Sequence, residues 1–205
     1  MKPQQEAVWD SIAAEWNEYR KKEFPVVKNF LKDKTGTILD LGCGSGRNMS
    51  NIKDVEWHGV DFSSSMLAHA KENAKDFTIA PQFSHSKSSK LSFKDNSFDS
   101  VICYAVLHCV ENKEERKKTI DEIYRVLKSG GQALISVWSR KSKVLKNKEK
   151  ECHIAWRPKD EEDKRSRYTY IFDLEELENL LKESGFKIVS VNEGLNLDFI
   201  VEKTE

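Results

Sequence analysis

The sequence predicts an α/β fold in which a mostly parallel β-sheet is covered by helices on both faces. Segments with helical periodicity alternate with short apolar segments along most of the chain, a pattern typical of parallel strands joined by helical crossovers. In segment 37–46 an apolar strand leads directly into a glycine-rich turn. The length of 205 residues and the 38% hydrophobic content suit one compact domain and leave no room for a second one.

The first two thirds of the chain predict two helices followed by alternating strands and helices. A helical pattern begins the chain, with apolar residues on one side at Val8, Trp9, Ile12, Trp16 and Tyr19. A second helix is expected around 25–31, and further helices near 64–74 and 113–127. Strands are expected at 37–41, 56–60, 82–85, 98–104 and 132–137. Gly130 and Gly131 are expected to end the last of these helices, because glycine readily takes positive φ.

The last third begins with a helix start signal. Asp173 is expected to cap the helix, Glu176 to complete a capping box, and Phe172 to pack against Leu177. Gly185 then ends this helix, and strands are expected at 186–191 and 198–202.

Composition excludes several classes of protein. The first ten residues lack the basic start and apolar run of a secretory signal, and no segment approaches the roughly 18 apolar residues that span a bilayer. We therefore expect a soluble, cytoplasmic protein. The four cysteines show no C-x-x-C pairing and the histidines show no ligand spacing with them, so we expect reduced thiols and no intrinsic metal site.

Charge is balanced overall but uneven along the chain. The formal net charge is zero, whereas residues 139–168 carry eleven Lys or Arg against six Asp or Glu, which leaves that segment at +5. A local basic surface is able to meet phosphates. The alternative is a solvated loop whose lysines only keep the protein soluble.

The glycine-rich turn is the most informative motif. It reads D-x-G-x-G-x-G from Asp40 to Gly46, and Asp61 follows at the end of the next apolar segment. Glycines let the backbone approach a ligand closely, and the N-terminus of a helix expected after the turn points its free N–H groups into the gap. A carboxylate about twenty residues further on is placed to accept hydrogen bonds from a ribose diol. The sequence therefore predicts a nucleotide-type cofactor, in a spacing that differs from the dinucleotide pattern G-x-G-x-x-G.

This motif resembles that of the class I S-adenosylmethionine (SAM)-dependent methyltransferases. The resemblance implies a Rossmann-like sheet of seven strands whose C-terminal pair forms an antiparallel edge hairpin. It also implies that helices within residues 3–32 cover the cofactor site and that 139–170 is a basic insertion on the substrate side. The cofactor residues implied are Asp40, Gly42, Cys43, Gly44, Gly46, Asp61, Phe62, Ser86, Ser88 and Ala105. Asp40 would contact the amino-acid end directly or through water, or would simply cap the turn.

Most of the chain resembles the tRNA wobble-uridine methyltransferases that esterify a carboxymethyl group on uridine. The more general matches are Ile12-Ala13, Phe24 to Val27, Asp40 to Gly46, Asp61-Phe62-Ser63, Ala105 to Leu107, and Glu115-Arg116 through Gly130 to Trp138. The more specific matches are Arg20, His108 and Arg167-Tyr168. The resemblance implies tRNA as substrate and a small zinc-containing activator as partner, for which Phe77, Ile79 and Phe83 are the expected surface.

The chemistry of such a reaction suits those specific matches. A carboxylate nucleophile is already deprotonated at neutral pH, so the site must supply alignment rather than a strong base. Arginine offers two directed donors, which makes Arg20 and Arg167 candidates for holding the acid, with His108 and Tyr168 beside them.

Each candidate has an alternative. Arg20 would bind the carboxylate of the cofactor itself, His108 would be a wall residue, and Arg167 would pair with Glu161, Glu162 or Asp163. Trp156 and Tyr168 would stack on a base or pack the insertion against the domain.

The sequence departs from the family where adenine is read. Ser86-Lys87-Ser88-Ser89 stands where an acidic residue is usual, so serine hydroxyls or backbone groups would substitute. Two other functions share the cofactor residues: a small-molecule O- or N-methyltransferase, and a catalytically silent SAM-binding subunit.

Overall fold

The computed structural model describes residues 4–157 and 165–204. Within these residues seven strands form one sheet and two shorter strands form a hairpin beside it. The strands of the sheet are β1 (Gly36–Leu41), β2 (Val55–Asp61), β3 (Gln82–His85), β4 (Phe98–Tyr104), β5 (Leu127–Trp138), β8 (Phe186–Glu193) and β9 (Asn196–Lys203). The hairpin strands are β6 (Glu151–Ala155) and β7 (Ser166–Tyr170). The helices are α1 (Gln5–Tyr19), α2 (Pro25–Leu31), α3 (Ser64–Asn73), α4 (Lys113–Val126) and α5 (Leu174–Glu183), with a 3₁₀ turn at Leu107–Cys109.

The strand order is β3-β2-β1-β4-β5-β9-β8. Strands β1 to β5 pair in parallel, whereas β9 pairs antiparallel with both β5 and β8. This arrangement confirms the predicted seven-stranded fold with an antiparallel C-terminal edge pair. The chain proceeds from β1 outward to β3 and then returns to β4 on the other side of β1, which opens a crevice at the carboxyl ends of these strands.

The sheet is buried on both faces. One face packs against α4 and α5, through Ile120, Ile123, Leu177 and Leu181. The other face packs against α2 and α3, in a cluster that includes Val27, Phe30, Leu31, Trp57 and Leu67. Parallel strands covered on both sides read as continuous apolar runs, which is why the sequence identified them.

Helix α1 is anchored over the start of α3. The hydroxyl of Ser63 donates to Asp10 at 2.6 Å, and the backbone N–H of Ser65 donates to the same carboxylate at 3.0 Å. Tyr19, which was expected on the buried side of α1, is 60% exposed, so that part of the prediction was wrong. It is the last residue of the helix and extends beyond the surface that α1 covers.

The end of α4 also differs from the prediction. The helix ends at Val126, and Leu127 is already extended and paired with Phe98 of β4. Gly130, with φ of 73°, and Gly131 therefore lie inside the residues of β5 rather than at the helix terminus. The helix ends before the glycines because Leu127 is buried and pairs with β4 in an extended conformation.

Helix α5 begins as predicted. Asp173 is its N-cap, both arms of the capping box with Glu176 are present, and Gly185 follows the helix with φ of 94°.

The hairpin β6–β7 was not predicted. It lies within the basic insertion, where residues 158–164, including Glu161, Glu162 and Asp163, are outside the described part of the chain.

Among the described residues, no helix has both the length and the apolar character needed to cross a membrane, and no group of three or more potential ligand side chains could bind a metal ion. The four cysteines are free thiols.

Candidate active site

A cavity of about 220 Å³ lies at the carboxyl ends of β1, β2, β3 and β4. Its floor is the glycine-rich turn after β1, and its walls include Asp61 at the end of β2 and Ala105 after β4. Trp9 and Trp16 of α1 contribute to the opposite side, so the N-terminal helix covers the crevice.

The turn requires glycine for two separate reasons. Gly42 and Gly44 have φ of 71° and 54°, a region that other residues enter at a cost. At Gly42 a Cβ atom would also lie only 2.3 Å from Cγ2 of Val106. The backbone N–H groups of Gly42 and Cys43 both donate to the carbonyl of Val60, which fixes the turn against β2. The result is a cradle of backbone held against β2. The helix expected after the turn does not form, because residues 47–54 are turns and irregular structure before β2 begins, so that part of the prediction was wrong.

Asp61 is oriented by backbone donors. The N–H of Gly44 donates to Oδ2 at 2.8 Å and the N–H of Ser63 donates to Oδ1 at 2.9 Å. Burial raises the pKa of this carboxyl to about 6, against the lowering effect of the hydrogen bonds. Each oxygen keeps a further lone pair, so the ionised side chain is able to accept two hydroxyl groups from a ligand in the cavity.

Asp40 lies behind the cavity wall rather than on it. Its side chain is buried, and neither oxygen makes a hydrogen bond within the described residues. Burial, with the charge of Asp61 as a second cause, raises the pKa of Asp40 to about 7. Asn48, also buried, lies on the wall. The charge of Arg47 and the side chain of Asn48 partly offset the cost of burying this carboxylate.

At the far end of the cavity, the loop after β3 is joined to α4. Ser89 donates to the carboxylate of Glu115, and the hydroxyls of Ser88 and Thr119 lie 3.0 Å apart. Glu115 receives a second hydrogen bond from Lys118 and lies on the cavity wall beside Lys87. An acidic group is therefore present at this end, although it comes from α4 and not from the loop where the sequence lacks one.

Arg167 lies in a box of tryptophan side chains near the rim. Its guanidinium carbon is 5.4 Å, 5.5 Å and 5.7 Å from the ring centroids of Trp156, Trp138 and Trp9. Arg167 is only 7% exposed, and its Nε has no hydrogen-bond partner in the described chain. Burial lowers the pKa of this group, yet guanidinium remains charged at neutral pH. The box therefore holds a cation that no carboxylate of the described residues neutralises.

His108 is close to this box and is uncharged. Its ring stacks on Trp138 with centroids 5.0 Å apart, and its Nδ1 accepts a hydrogen bond from the N–H of Trp138 at 3.4 Å. Burial, and secondarily the charge of Arg167, lowers the pKa of His108 to about 3. Acceptance at Nδ1 leaves the proton on Nε2, so this imidazole is a neutral donor.

Tyr168 packs the hairpin against the domain. Its hydroxyl lies 3.2 Å from Nη1 of Arg116, which donates to it, and its backbone N–H donates to Oε1 of Gln5 at 2.8 Å. The side chain is buried, with no face presented to solvent.

Glu15 joins α1 to the hairpin through three donors. Its carboxylate accepts from Nε1 of Trp156 at 2.6 Å and from Arg165 at 3.0 Å, and it lies 2.9 Å from Nη2 of Arg157. We call this group the Glu15 cluster. It connects the helix that covers the cavity to the hairpin.

The structure separates the predicted site residues into two groups. The cofactor candidates on the cavity wall are Gly42, Cys43, Gly44, Asp61, Phe62, Ser86, Ser88 and Ala105. Asp40 lies behind the wall, and Gly46 lines the adjoining recess rather than the cavity. The catalytic candidates Arg20, His108, Arg167 and Tyr168 do not line this cavity, and Arg20 lies on an adjoining recess of about 240 Å³.

Sequence reasoning missed several wall residues. They are Arg47, Asn48, Trp16 and Glu115. Only Arg47 had a signal, since it directly follows the last glycine of the motif.

Comparison with known proteins finds that this chain is similar to methyltransferases. Residues 39–135 match the model of the family described as a methyltransferase domain. The mouse protein named "Probable tRNA methyltransferase 9B" is 28% identical over 152 residues, which cover 73% of this chain and 33% of that protein. The Arabidopsis thaliana tRNA (carboxymethyluridine(34)-5-O)-methyltransferase is 31% identical over 134 residues, which cover 64% of this chain and 32% of that protein. The chain thus spans about a third of the length of these relatives.

A solved structure shows the same fold over nearly the full length. It comes from the complex between the Haloferax volcanii Trm112 methyltransferase activator and a protein described as "the putative methyltransferase". The TM-score is 0.76 at 17% identity, and the alignment covers 98% of both chains.

Proposed function

We propose that this chain is a SAM-dependent methyltransferase that methylates the carboxylate of carboxymethyluridine at the tRNA wobble position, as the names of its relatives suggest. The observation that carries the proposal is Arg167, a buried guanidinium in an aromatic box with no carboxylate partner among the described residues.

The cavity fits SAM. A Cβ on Gly44 would lie 3.6 Å from Nε1 of Trp16 on the opposite wall, so glycine leaves that space to a ligand. Asp61 is oriented to accept the ribose hydroxyls, and the buried Asp40 beside Arg47 suits the amino-acid end of SAM. Glu115 supplies the acidic group for the adenine amino function that the loop after β3 lacks. When bound, SAM supplies an electrophilic methyl group on its sulfonium, and the residues of this chain align the acceptor with it.

Arg167 holds the acceptor carboxylate in this proposal. The carboxylate arrives ionised, loses hydration in the partly dry site, and gains two directed N–H donors from the guanidinium. Neutral His108 offers a further hydrogen bond. It adds no positive charge, and a further positive charge would weaken the carboxylate as a nucleophile. Tyr168 acts as a positioning residue, because its contacts hold β7, and so Arg167, in place.

Methylation removes the charge that Arg167 recognises. The ester accepts weaker, neutral hydrogen bonds, so the affinity of the box for the product falls. The same group that orients the substrate therefore also favours release of the product.

We also propose a small zinc-containing activator protein as partner. Strand β3 is at the edge of the sheet and pairs only with β2 among the described strands. Ile79 before it is 41% exposed, while Phe77 and Phe83 are partly buried. The complex from Haloferax volcanii gives a precedent in a protein of the same fold.

The decisive test uses tRNA that bears carboxymethyluridine. The chain, the activator and methyl-labelled SAM are incubated with this tRNA, and the label is expected in a base-labile methyl ester on the wobble nucleoside. Label found only on small metabolites would contradict the proposal.

A small-molecule O- or N-methyltransferase is the second candidate, because it shares every cofactor residue. Charge reversal of the exposed Lys141, Lys143 and Lys146 distinguishes the two. Activity on tRNA should fall when these lysines contribute to phosphate contact, whereas a small-molecule enzyme should be unaffected. A silent SAM-binding subunit would bind SAM in calorimetry and transfer no methyl group to either substrate.

A further inference from the structure

The guanidinium of Arg47 lies on the wall of the cofactor cavity and also on the adjoining recess that Arg20 lines. Its carbon is 3.7 Å from the ring centroid of Phe24 and 5.7 Å from that of Trp16. These rings fix the guanidinium plane, so its donors have a defined direction before any ligand arrives.

Arg47 makes no hydrogen bond or ion pair with any residue in the described part of the chain. Burial lowers its pKa to about 10, with the charge of Arg20 as the next cause, and the group remains a cation at neutral pH. The charge of Asp40 attracts this cation, yet the N–H donors of Arg47 have no acceptor among the described residues, so an anionic ligand would restore the hydrogen bonds lost with water.

The position of Arg47 identifies which anion. Among the described wall residues the lysines and arginines are Arg47 and Lys87. In the strand order β3-β2-β1, Lys87 follows β3, Asp61 ends β2 and Arg47 follows β1, so the two cations lie on opposite sides of Asp61. Lys87 is in the loop beside Glu115, whereas Arg47 follows the glycine turn and lies near Trp16 and Tyr104. Asp61 lies between them. A ligand with its adenosine toward Lys87 and its ribose on Asp61 therefore extends its amino-acid end toward Arg47.

We propose that Arg47 binds the α-carboxylate of SAM. This inference rests on the cofactor of the proposed function and is independent of the acceptor. It assigns to Arg47 a role for which Arg20 was the sequence-based candidate.

A ladder of alternating guanidinium and indole groups supports this division of roles. Trp16 faces both Arg47 and Arg20, the latter at 5.8 Å, and Trp156 faces Arg20 at 5.8 Å and Arg167 at 5.4 Å. Arg47 stands at the cofactor end of this ladder and Arg167 at the end near His108. Two carboxylates, one from the cofactor and one from the acceptor, would then occupy opposite ends, and the exposed Arg20 would lie between them.

The test compares S-adenosylhomocysteine with its decarboxylated analogue, S-adenosyl-3-thiopropylamine, by calorimetry on the full chain. Wild type is expected to prefer the first ligand by about 10- to 100-fold, the range for a charge-assisted hydrogen-bonded pair. Arg47→Gln should reduce this preference to nearly one, because only the carboxylate-bearing ligand loses a contact. Arg47→Lys keeps a point charge and should retain part of the preference.

Arg20→Gln is the matched control and should retain the full preference. If Arg20→Gln removes the preference while Arg47→Gln keeps it, the proposal is overturned in favour of Arg20. An equal loss of both ligands in Arg47→Lys, with an unchanged melting temperature, would also overturn it, since that would show a structural role. Failure of wild type to bind S-adenosylhomocysteine would overturn the cofactor assignment itself. Loss of tRNA activity with intact ligand preference would instead reject only the proposed acceptor.

Discussion

Asp61 combines two roles in one side chain, because it fixes the glycine turn and faces the cavity. We predict that Asp61→Ala abolishes measurable SAM binding, since it removes the acceptors for the ribose and releases the N–H of Gly44. Isothermal calorimetry is the measurement. Asp54→Asn, an exposed acid near the opposite end of β2, is the control and should bind normally. Retention of binding in Asp61→Ala would contradict the assignment.

The raised pKa of Asp61 predicts a pH dependence of cofactor affinity. The group must be ionised to accept two hydroxyls, and its pKa in the free protein is about 6. Affinity is therefore complete above that value and falls as pH decreases through it, by at most about tenfold per pH unit for one proton. Asp40, with a pKa of about 7, extends the decline upward. Dissociation constants measured between pH 7.5 and pH 5 check this, and a flat profile would contradict it.

Arg167 is predicted to act on the acceptor alone. Arg167→Gln should leave the SAM dissociation constant unchanged and lower kcat/KM for tRNA by about 10- to 100-fold, the value of a charge-assisted pair. Binding calorimetry and ester formation are measured on the same preparation, with Arg167→Lys as the variant that retains charge. Equal loss of binding and turnover would instead place Arg167 in the cofactor site.

Some of these residues could be predicted from sequence and others could not. Gly42, Gly44 and Asp61 follow a local pattern of strand, turn and strand end, so their spacing in the chain carries their position in space. Arg47 and Glu115 gain their roles only through neighbours that arrive from α1 and from the loop after β3. Contacts between segments that are distant in the sequence leave no local periodicity from which to predict them.

At the level of elements, the Glu15 cluster joins α1 to the hairpin β6–β7. We predict that Glu15→Gln increases hydrogen exchange in β6 and β7, because the neutral amide binds Arg157 and Arg165 more weakly. Glu18→Gln, an exposed change on the same helix, is the control and should leave exchange unchanged. Unaltered exchange in Glu15→Gln would show that packing alone fixes the hairpin.

Element boundaries show where sequence reasoning succeeds. The bounds of β3, β4 and α2 agree with the prediction because a change of periodicity coincides with each end. The hairpin β6–β7 was missed because it lies in a charged insertion and its strands are short, with only Ile154 buried in β6. The predicted end of α4 was wrong because Leu127, which precedes the two glycines in the chain, already pairs with β4 as a strand residue.

At the scale of the whole molecule, the two edge strands of the sheet are β3 and β8, and the activator is expected to bind only beside β3. We predict that Ile79→Asp, beside β3, reduces co-purification of a co-expressed activator, since a buried carboxylate would cost more than the contact returns. Val189→Asp on β8, which removes a similarly exposed apolar side chain at the opposite edge, is the control. Equal retention of the activator by both variants would place its surface elsewhere.

The overall topology was predictable because alternation of strands and helices leaves few arrangements of a parallel sheet. The antiparallel edge pair came from family resemblance, as nothing in the apolar pattern of 186–202 fixes its direction. Closure of the cavity by α1 depends on a helix that also contacts the C-terminal hairpin, and the bond from Arg165 to Glu15 joins residues 150 positions apart.

That closure separates two kinds of chemistry along the chain. The segment matched by the methyltransferase family, 39–135, contains the cradle, Asp61 and Glu115, while Trp9, Trp16, Trp156 and Arg167 all lie outside it. In the proposed function, the groups assigned to the ribose and adenine of SAM thus lie in the middle of the chain. Arg167, assigned to the acceptor, lies in the C-terminal flank, and the N-terminal flank adds Trp9 and Trp16 to the cavity wall. A chimaera that exchanges both flanks between two such enzymes should inherit the substrate of the flanks, and exchange of one flank alone should yield neither parent's selectivity.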